Sequence, residues 1–181
     1  MTELTCVNST PVDSGLALDV GTPPTLVPPS PAMLAQLAQV HAFLLQLPQD
    51  ELSTEHILHG GMYSRTVRLI PGQIMLGAVV RPATLLIVNG NCSVLVGDTR
   101  VELSGYNVIP GCAGRQQLFL THGPVEITMI FPTSARTVAE AEAEMMDEPD
   151  QLTSRKDGNS NRVMNTCVER RKEELNQCRE H

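Results

Sequence analysis

A chain of 181 residues with a net charge of -7 fits one compact domain with appendages, and a core of about 80–110 residues buries enough apolar surface to fold alone. With no Trp, two Tyr and three Phe, that core must be built from Val, Ile, Leu and Met. The acidic balance, the lack of a basic stripe and the scarcity of rings exclude a nucleic-acid partner, and no stretch approaches the roughly 18 apolar residues of a membrane span.

The N-terminus has no basic leader followed by a long apolar run, so no secretory signal is expected. Residues 1–29 read as an extended arm, because Pro11, Pro23, Pro24, Pro28 and Pro29 remove backbone donors and bias the chain toward polyproline geometry. Over 30–48 the pattern becomes helical. Ser30 suits an N-cap and Pro31 the first helical position, while Met33, Leu34, Leu37, Val40, Leu44 and Leu45 recur at helical spacing before Pro48. One apolar stripe of that helix must bury on the β domain or on a neighbouring subunit.

From Thr66 the period falls to two. Short strands are expected at 66–70, 74–80, 84–88, 92–96, 100–103, 106–109, 116–121 and 125–131. Between them stand Pro71-Gly72, Arg81-Pro82, Asn89-Gly90-Asn91, Gly97-Asp98, Ser104-Gly105, Pro110-Gly111 and His122-Gly123-Pro124, all with turn chemistry. Many short strands with no intervening helix exclude a parallel α/β sheet and predict a mainly β domain over 54–133, a small antiparallel barrel or sandwich of jelly-roll type. Residues 134–155 hold an acidic helix, from Thr137 to Met146, rich in Ala and Glu. Residues 156–181 read as a polar linker and a helical tail. The five cysteines are odd in number and form no CxxC pair, so reduced thiols are the default. Cys167 and Cys178 stand about three helical turns apart, a spacing that permits a bridge between two chains but not within one helix.

Three segments carry a resemblance: Thr84-Leu85-Leu86-Ile87-Val88-Asn89-Gly90, then Val94-Leu95-Val96-Gly97-Asp98, then Gly105-Tyr106-Asn107-Val108-Ile109-Pro110. Their order of strand, Gly turn, strand, Gly-Asp turn, Gly, strand and Pro resembles the cupin superfamily. Residues 54–66, Gly105 to Pro110, Ala113-Gly114-Arg115, Met129 to Thr133 and Thr137 to Glu144 are similar, further, to small cupin-like proteins of tailed bacteriophages and prophages. That second resemblance implies a phage origin and brings no activity with it. Metal-binding cupins offer His-x-His and Glu from one hairpin and another His after the Pro of the second motif. Here the hairpin reads Val79-Val80-Arg81-Pro82-Ala83-Thr84, and Gly111-Cys112-Ala113-Gly114-Arg115 follows Pro110. Aliphatic and guanidinium groups lend no lone pair to a metal, so no cofactor is expected.

The remaining candidates each have a functional and a structural reading. Glu55, His56 and His59 precede the first expected strand, and with His122 as a third ligand they make a candidate metal or acid–base site. The structural reading makes them part of a capped turn. Arg65, Arg81 and Arg115 are candidates for gripping an anion at a barrel mouth. Structurally they would instead pair with Glu102, Glu126 or Asp98. Tyr63 and Tyr106 are expected in the core or an interface, and Cys112 has no general base by spacing. The function expected is that of a non-catalytic bacteriophage protein made in the host cytoplasm and incorporated in the virion. It would form a homo-oligomer and contact other phage structural proteins, as a tail or head–tail accessory, through its arm and terminal helices. The alternative is a small-molecule binder or metal-dependent enzyme using the barrel cavity with His56, His59, Arg65, Arg115 and His122.

Overall fold

The computed structural model describes residues 24–156 and 159–166; Cys167, Cys178 and the rest of the expected tail lie outside them, as does most of the arm. The described end of the arm is extended. Leu26 is fully buried and pairs with the main chain at Gly111, its N–H donating to the Pro110 carbonyl at 2.8 Å and its carbonyl accepting from Cys112 N–H at 2.8 Å. Ser30 then starts α1, Pro31–Leu44, with its hydroxyl accepting from Met33 N–H, while its own N–H donates to Asp98. Pro31 sits at the first helical position, where a missing donor costs nothing. The helix turns a narrow stripe inward, and of its residues only Leu37 is buried.

The β domain follows. Its strands are β1 (Ser53–His59), β2 (Met62–Leu69), β3 (Ile74–Leu76), β4 (Thr84–Val96), β5 (Thr99–Leu103), β6 (Tyr106–Gly111) and β7 (Leu118–Pro132). After them come α2 (Val138–Met145), two single 3-10 turns at Pro149–Gln151 and Thr153–Arg155, and β8 (Ser160–Asn165). Two long strands organise everything. The first half of β4 lies between β6 and the second half of β7, and the sheet runs on through β2 and β1 to β8. The second half of β4 lies between β5 and the first half of β7, which β3 flanks. Because β4 and β7 belong to both halves and bend between them, the halves face each other and enclose the core in a jelly-roll-like arrangement.

That core is aliphatic, as the composition required. Leu58, Val67, Leu86, Val88, Ile109 and Ile127 fill it, with Phe119, Phe131 and Tyr63 as its rings. Strict alternation builds it: β7 is buried at every second position from Phe119 to Thr121 and from Val125 to Phe131, and β4 from Thr84 to Val88. No helix among the described residues is long and apolar enough to cross a membrane.

The fold is mainly β, as expected, and it differs from the expectation in several details. The sheet does not close into a barrel, and it is mixed rather than antiparallel, because β8 pairs parallel to β1 with Ser53 opposite Ser160. Residues 160–165, expected within the linker and helical tail, form that strand. The expected strand at 74–80 ends at Leu76. Neither Asn89-Gly90-Asn91 nor His122-Gly123-Pro124 is a turn: each lies inside a continuous strand, and the three residues 122–124 stand opposite Asn91 alone. The insertion makes the bend.

Gly90 is required there. Its φ is +132°, and a Cβ would stand 2.3 Å from the Pro124 carbonyl oxygen and 2.9 Å from the Val125 Cα. Gly90→Ala therefore combines backbone strain with an overlap against main chain that cannot step aside. The expected loss is about 3 kcal/mol of unfolding free energy by urea titration, and a loss under about 1 kcal/mol would mean that the strands do not cross so closely.

Candidate functional site

Of the five sequence candidates the structure brings together His56 and Arg65, which stand opposite each other on β1 and β2, and leaves His59, Arg115 and His122 elsewhere. His56 and His59 lie on β1, where an odd spacing sends them to opposite faces, rather than on a capped turn. His59 is exposed, and its Nδ1 meets the Thr166 hydroxyl at 2.6 Å. His56 is buried, with Nδ1 at 2.7 Å from the Tyr63 hydroxyl and Nε2 at 3.2 Å from Asn161 Oδ1. The Asn161 amide nitrogen already donates to the Ser154 carbonyl, so Oδ1 is the acceptor it turns toward the ring. His56 thus carries its proton on Nε2 and accepts from Tyr63 on Nδ1. Burial holds its pKa below the usual 6.5, and burial likewise raises that of Tyr63. Both groups are neutral, and His56 is a bridge between β1, β2 and β8.

Beside it stands a buried ion cluster. Glu142, on the inward side of α2, is 2% exposed; its Oε1 accepts from Arg65 Nη1 at 3.0 Å and its Oε2 from Arg155 Nε at 2.7 Å. Arg65 also donates to Ser154, and Arg155 to Asp150. Arg65 is therefore committed to fastening α2 and the chain after it onto the sheet. The partners expected from the sequence were wrong for all three arginines. Glu126 pairs with Arg68, Glu102 with Arg100 and Asp98 with the Ser30 main chain, whereas Arg81 pairs with Asp147 and Arg115 has no carboxylate partner among the described residues.

His122 lies on the outer side of the sheet, away from His56. Its Nε2 is 2.7 Å from Ser93 Oγ and 3.3 Å from Glu102 Oε2, and Ser93 Oγ also lies 2.9 Å from both Glu102 oxygens. Serine, histidine and glutamate in mutual contact suggest a nucleophile relay, but the geometry is wrong for one. A relay needs the carboxylate on the ring nitrogen remote from the serine, and here both partners crowd Nε2. The serine hydroxyl is also the first cause that holds the Glu102 carboxyl below its ordinary range, which is the mark of a donor to a carboxylate.

The segments around Val80 and Arg115 lie side by side. Val80 and Arg115 pair through their main chains, with Val80 N–H donating to the Arg115 carbonyl at 2.8 Å and Gly114 N–H to the Val80 carbonyl at 2.8 Å. Val80 and Arg115 are buried, and Arg81 is turned outward to Asp147. Among the described residues no group of three or more His, Cys, Asp or Glu side chains could hold a metal ion. Cys112 is a free thiol, half-buried, and no hydrogen bond reaches its sulfur among the described residues. Tyr63 is a core ring, packed edge-on against Phe131, and Tyr106 is exposed instead.

No family profile and no curated protein matches the chain. Solved structures it is similar to include cupin-superfamily proteins. One, from Desulfitobacterium hafniense, is 14% identical with a TM-score of 0.40, over 51% of this chain and 87% of that one. An RmlC-like cupin family protein with a double-stranded β-helix fold from Methanocaldococcus jannaschii is 13% identical with a TM-score of 0.40, over 48% and 86%. A Cupin 2 conserved barrel domain protein from Salinispora arenicola is 10% identical with a TM-score of 0.40, over 49% and 82%. These are faint likenesses over about half of the chain, and side-chain roles rest on this chain's own geometry.

Sequence reasoning missed Glu142, Asn161 and Gln117. For Glu142 a signal existed, since Val138, Ala141 and Met145 form a helical stripe and Glu142 lies beside it. For Gln117 the signal was period two, because it alternates with Arg115, Phe119 and Thr121.

Two outcomes follow. Glu142→Gln leaves two guanidinium groups facing each other with one neutral acceptor and should cost about 3 kcal/mol in urea unfolding; under about 1 kcal/mol would mean that both arginines find solvent. For His56 the folded pKa lies below the unfolded value of 6.5. The unfolded chain therefore takes up the proton first, so stability is complete above about pH 6.5 and is lost as pH falls from there toward the lowered folded value. Comparing the native chain with His56→Gln at about pH 7.5 and about pH 5.5, the stability difference between them should shrink in acid. An unchanged difference would show that the ring protonates freely in the fold.

Proposed function

We propose that this chain is a non-catalytic interaction module of a tailed bacteriophage, assembled in the virion as a homo-oligomer and joined to other structural proteins. The observation that carries this reading is the apolar surface left on α1 and just after it. Leu34 is 37% exposed, Phe43 59%, Leu45 54% and Leu47 44%, and of the helix only Leu37 is buried. A helix of this kind gains its stability from a partner surface. The outer side of the sheet adds a second such surface. Strand register aligns Pro110, Leu85, Ile130, Ser64, Ile57 and Met164 in one row across six strands, and none of them is charged.

The inside supports the same reading. Most buried positions are taken by apolar side chains, His56 and Arg65 are bound into structural contacts, and His59 and His122 lie elsewhere. The phage attribution rests on the sequence resemblance carried by residues 54–66, 105–110, 113–115, 129–133 and 137–144. A tail or head–tail accessory suits a β module with a proline-rich N-terminal segment better than a shell-forming head protein.

Mass spectrometry of purified particles of a phage encoding this chain should find it at a constant copy number. Light scattering on the isolated full chain should give a multiple of 19.7 kDa, and Leu34→Glu combined with Phe43→Glu should reduce it to a monomer with unchanged β-sheet circular dichroism. A chain that is monomeric and absent from purified particles would overturn the reading.

A further inference from the structure

Arg115 is the most deeply buried charge in the described structure. Gly114, at φ +75°, turns the chain inward ahead of it, and the arginine is 1% exposed. Its Nη2 donates to the Thr84 hydroxyl at 2.5 Å and its Nη1 to the Cys112 carbonyl at 3.3 Å, both neutral acceptors. Arg65, Arg68, Arg81, Arg100 and Arg155 each meet a carboxylate, and Arg115 meets none among the described residues. Its Nε is buried with no hydrogen-bond partner.

A second orphan stands on the same side of the chain. Gln117, two residues on, is 5% exposed, and its Nε2 is also buried without a partner. Two positions along an extended chain span about 6.6 Å, a gap that one small ion can bridge. Gly111 makes room: a Cβ there would stand 2.7 Å from both Cζ and Nε of Arg115, so only glycine admits the guanidinium. Burial pushes the Arg115 guanidinium down to about 10, which still leaves it charged at neutral pH. A buried cation needs a counter-charge, and a buried donor needs an acceptor. Here both demands arise two residues apart on one short stretch of chain.

We propose that the interior of the sheet holds a small, singly charged anion, of halide or carboxylate size, on the Nε of Arg115 and the Nε2 of Gln117. One guanidinium calls for one negative charge, and the full burial of Arg115 and Gln117 calls for a small ion. The anion completes the core whether or not the chain assembles in a virion.

The test uses the full chain in sodium gluconate, whose anion is too bulky to enter, with bromide or formate replacing gluconate at constant ionic strength. The melting temperature should climb with the logarithm of anion concentration, and the bromide and formate series separate a halide from a carboxylate preference. Arg115→Gln should abolish the response, and Gln117→Leu should weaken it several-fold. A purely structural arginine would instead lose stability equally in every salt. Should Arg115→Gln fail to fold, crystals of the native chain grown with bromide decide the matter through an anomalous peak within about 3.5 Å of Arg115 Nε. No anion response in the native chain, the same response in Arg115→Gln, or a water or protein carboxylate at that nitrogen would overturn the proposal.

Discussion

The carboxylate of Glu142, sealed between Arg65 and Arg155, holds the two ends of this structure together. Arg65 belongs to β2 near the start of the sheet, Glu142 to the helix after its last long strand, and Arg155 to the turn that leads into β8. Removing three charges from water is costly, and such a cluster specifies an arrangement more than it adds stability. What it specifies here is the seat of α2 and, through Ser154, the position of Asn161 against His56. The ring of His56, whose own hydrogen bonds go to Tyr63 and Asn161, is therefore set in part by the ion pair beside it.

The charges inside are unequally served. At Glu142 two guanidinium groups share one carboxylate, with Asp150 drawing off part of Arg155 at the surface. At Arg115 one guanidinium has only an alcohol and a carbonyl. The first site is a closed internal account of charge, and the second is not. That contrast separates a clasp from a candidate binding site more sharply than the identity of the residues does, since both are built on arginine.

Much of the fold was legible in the sequence because it is written in short-range signals. Ser30 before Pro31 marks a helix start, and the structure places an N-cap at Ser30; the Ala- and Glu-rich helix expected from Thr137 is there too, opened by a capping box the sequence reading did not use. The alternation of β4, β6 and β7 is equally plain. What failed was non-local. Asn-Gly and Gly-Pro carry the same chemistry in a turn and in a bent strand, and only the register of β4 against β7 decides between them. Nothing in the polar stretch Ser160–Asn165 announces a strand, because its pairing depends on β1 far upstream. The site residues followed the same division. Tyr63 was rightly placed in the core, while the partners of the arginines were sought among nearby strand residues and, for Arg65, came from α2.

The parallel pairing of β8 with β1 also imposes an order of events. Hairpins such as β4 with β5 join neighbours in the chain and can form at once, whereas β1 meets β8 only after most of the chain exists, with Leu52 bonded to Asn159 across 107 positions. Closing so long a loop is slow relative to local pairing. During synthesis the free flank of β1 must wait on the ribosome with its main-chain groups exposed, and the polar character of β8 makes a late-arriving cover that stays soluble until it docks.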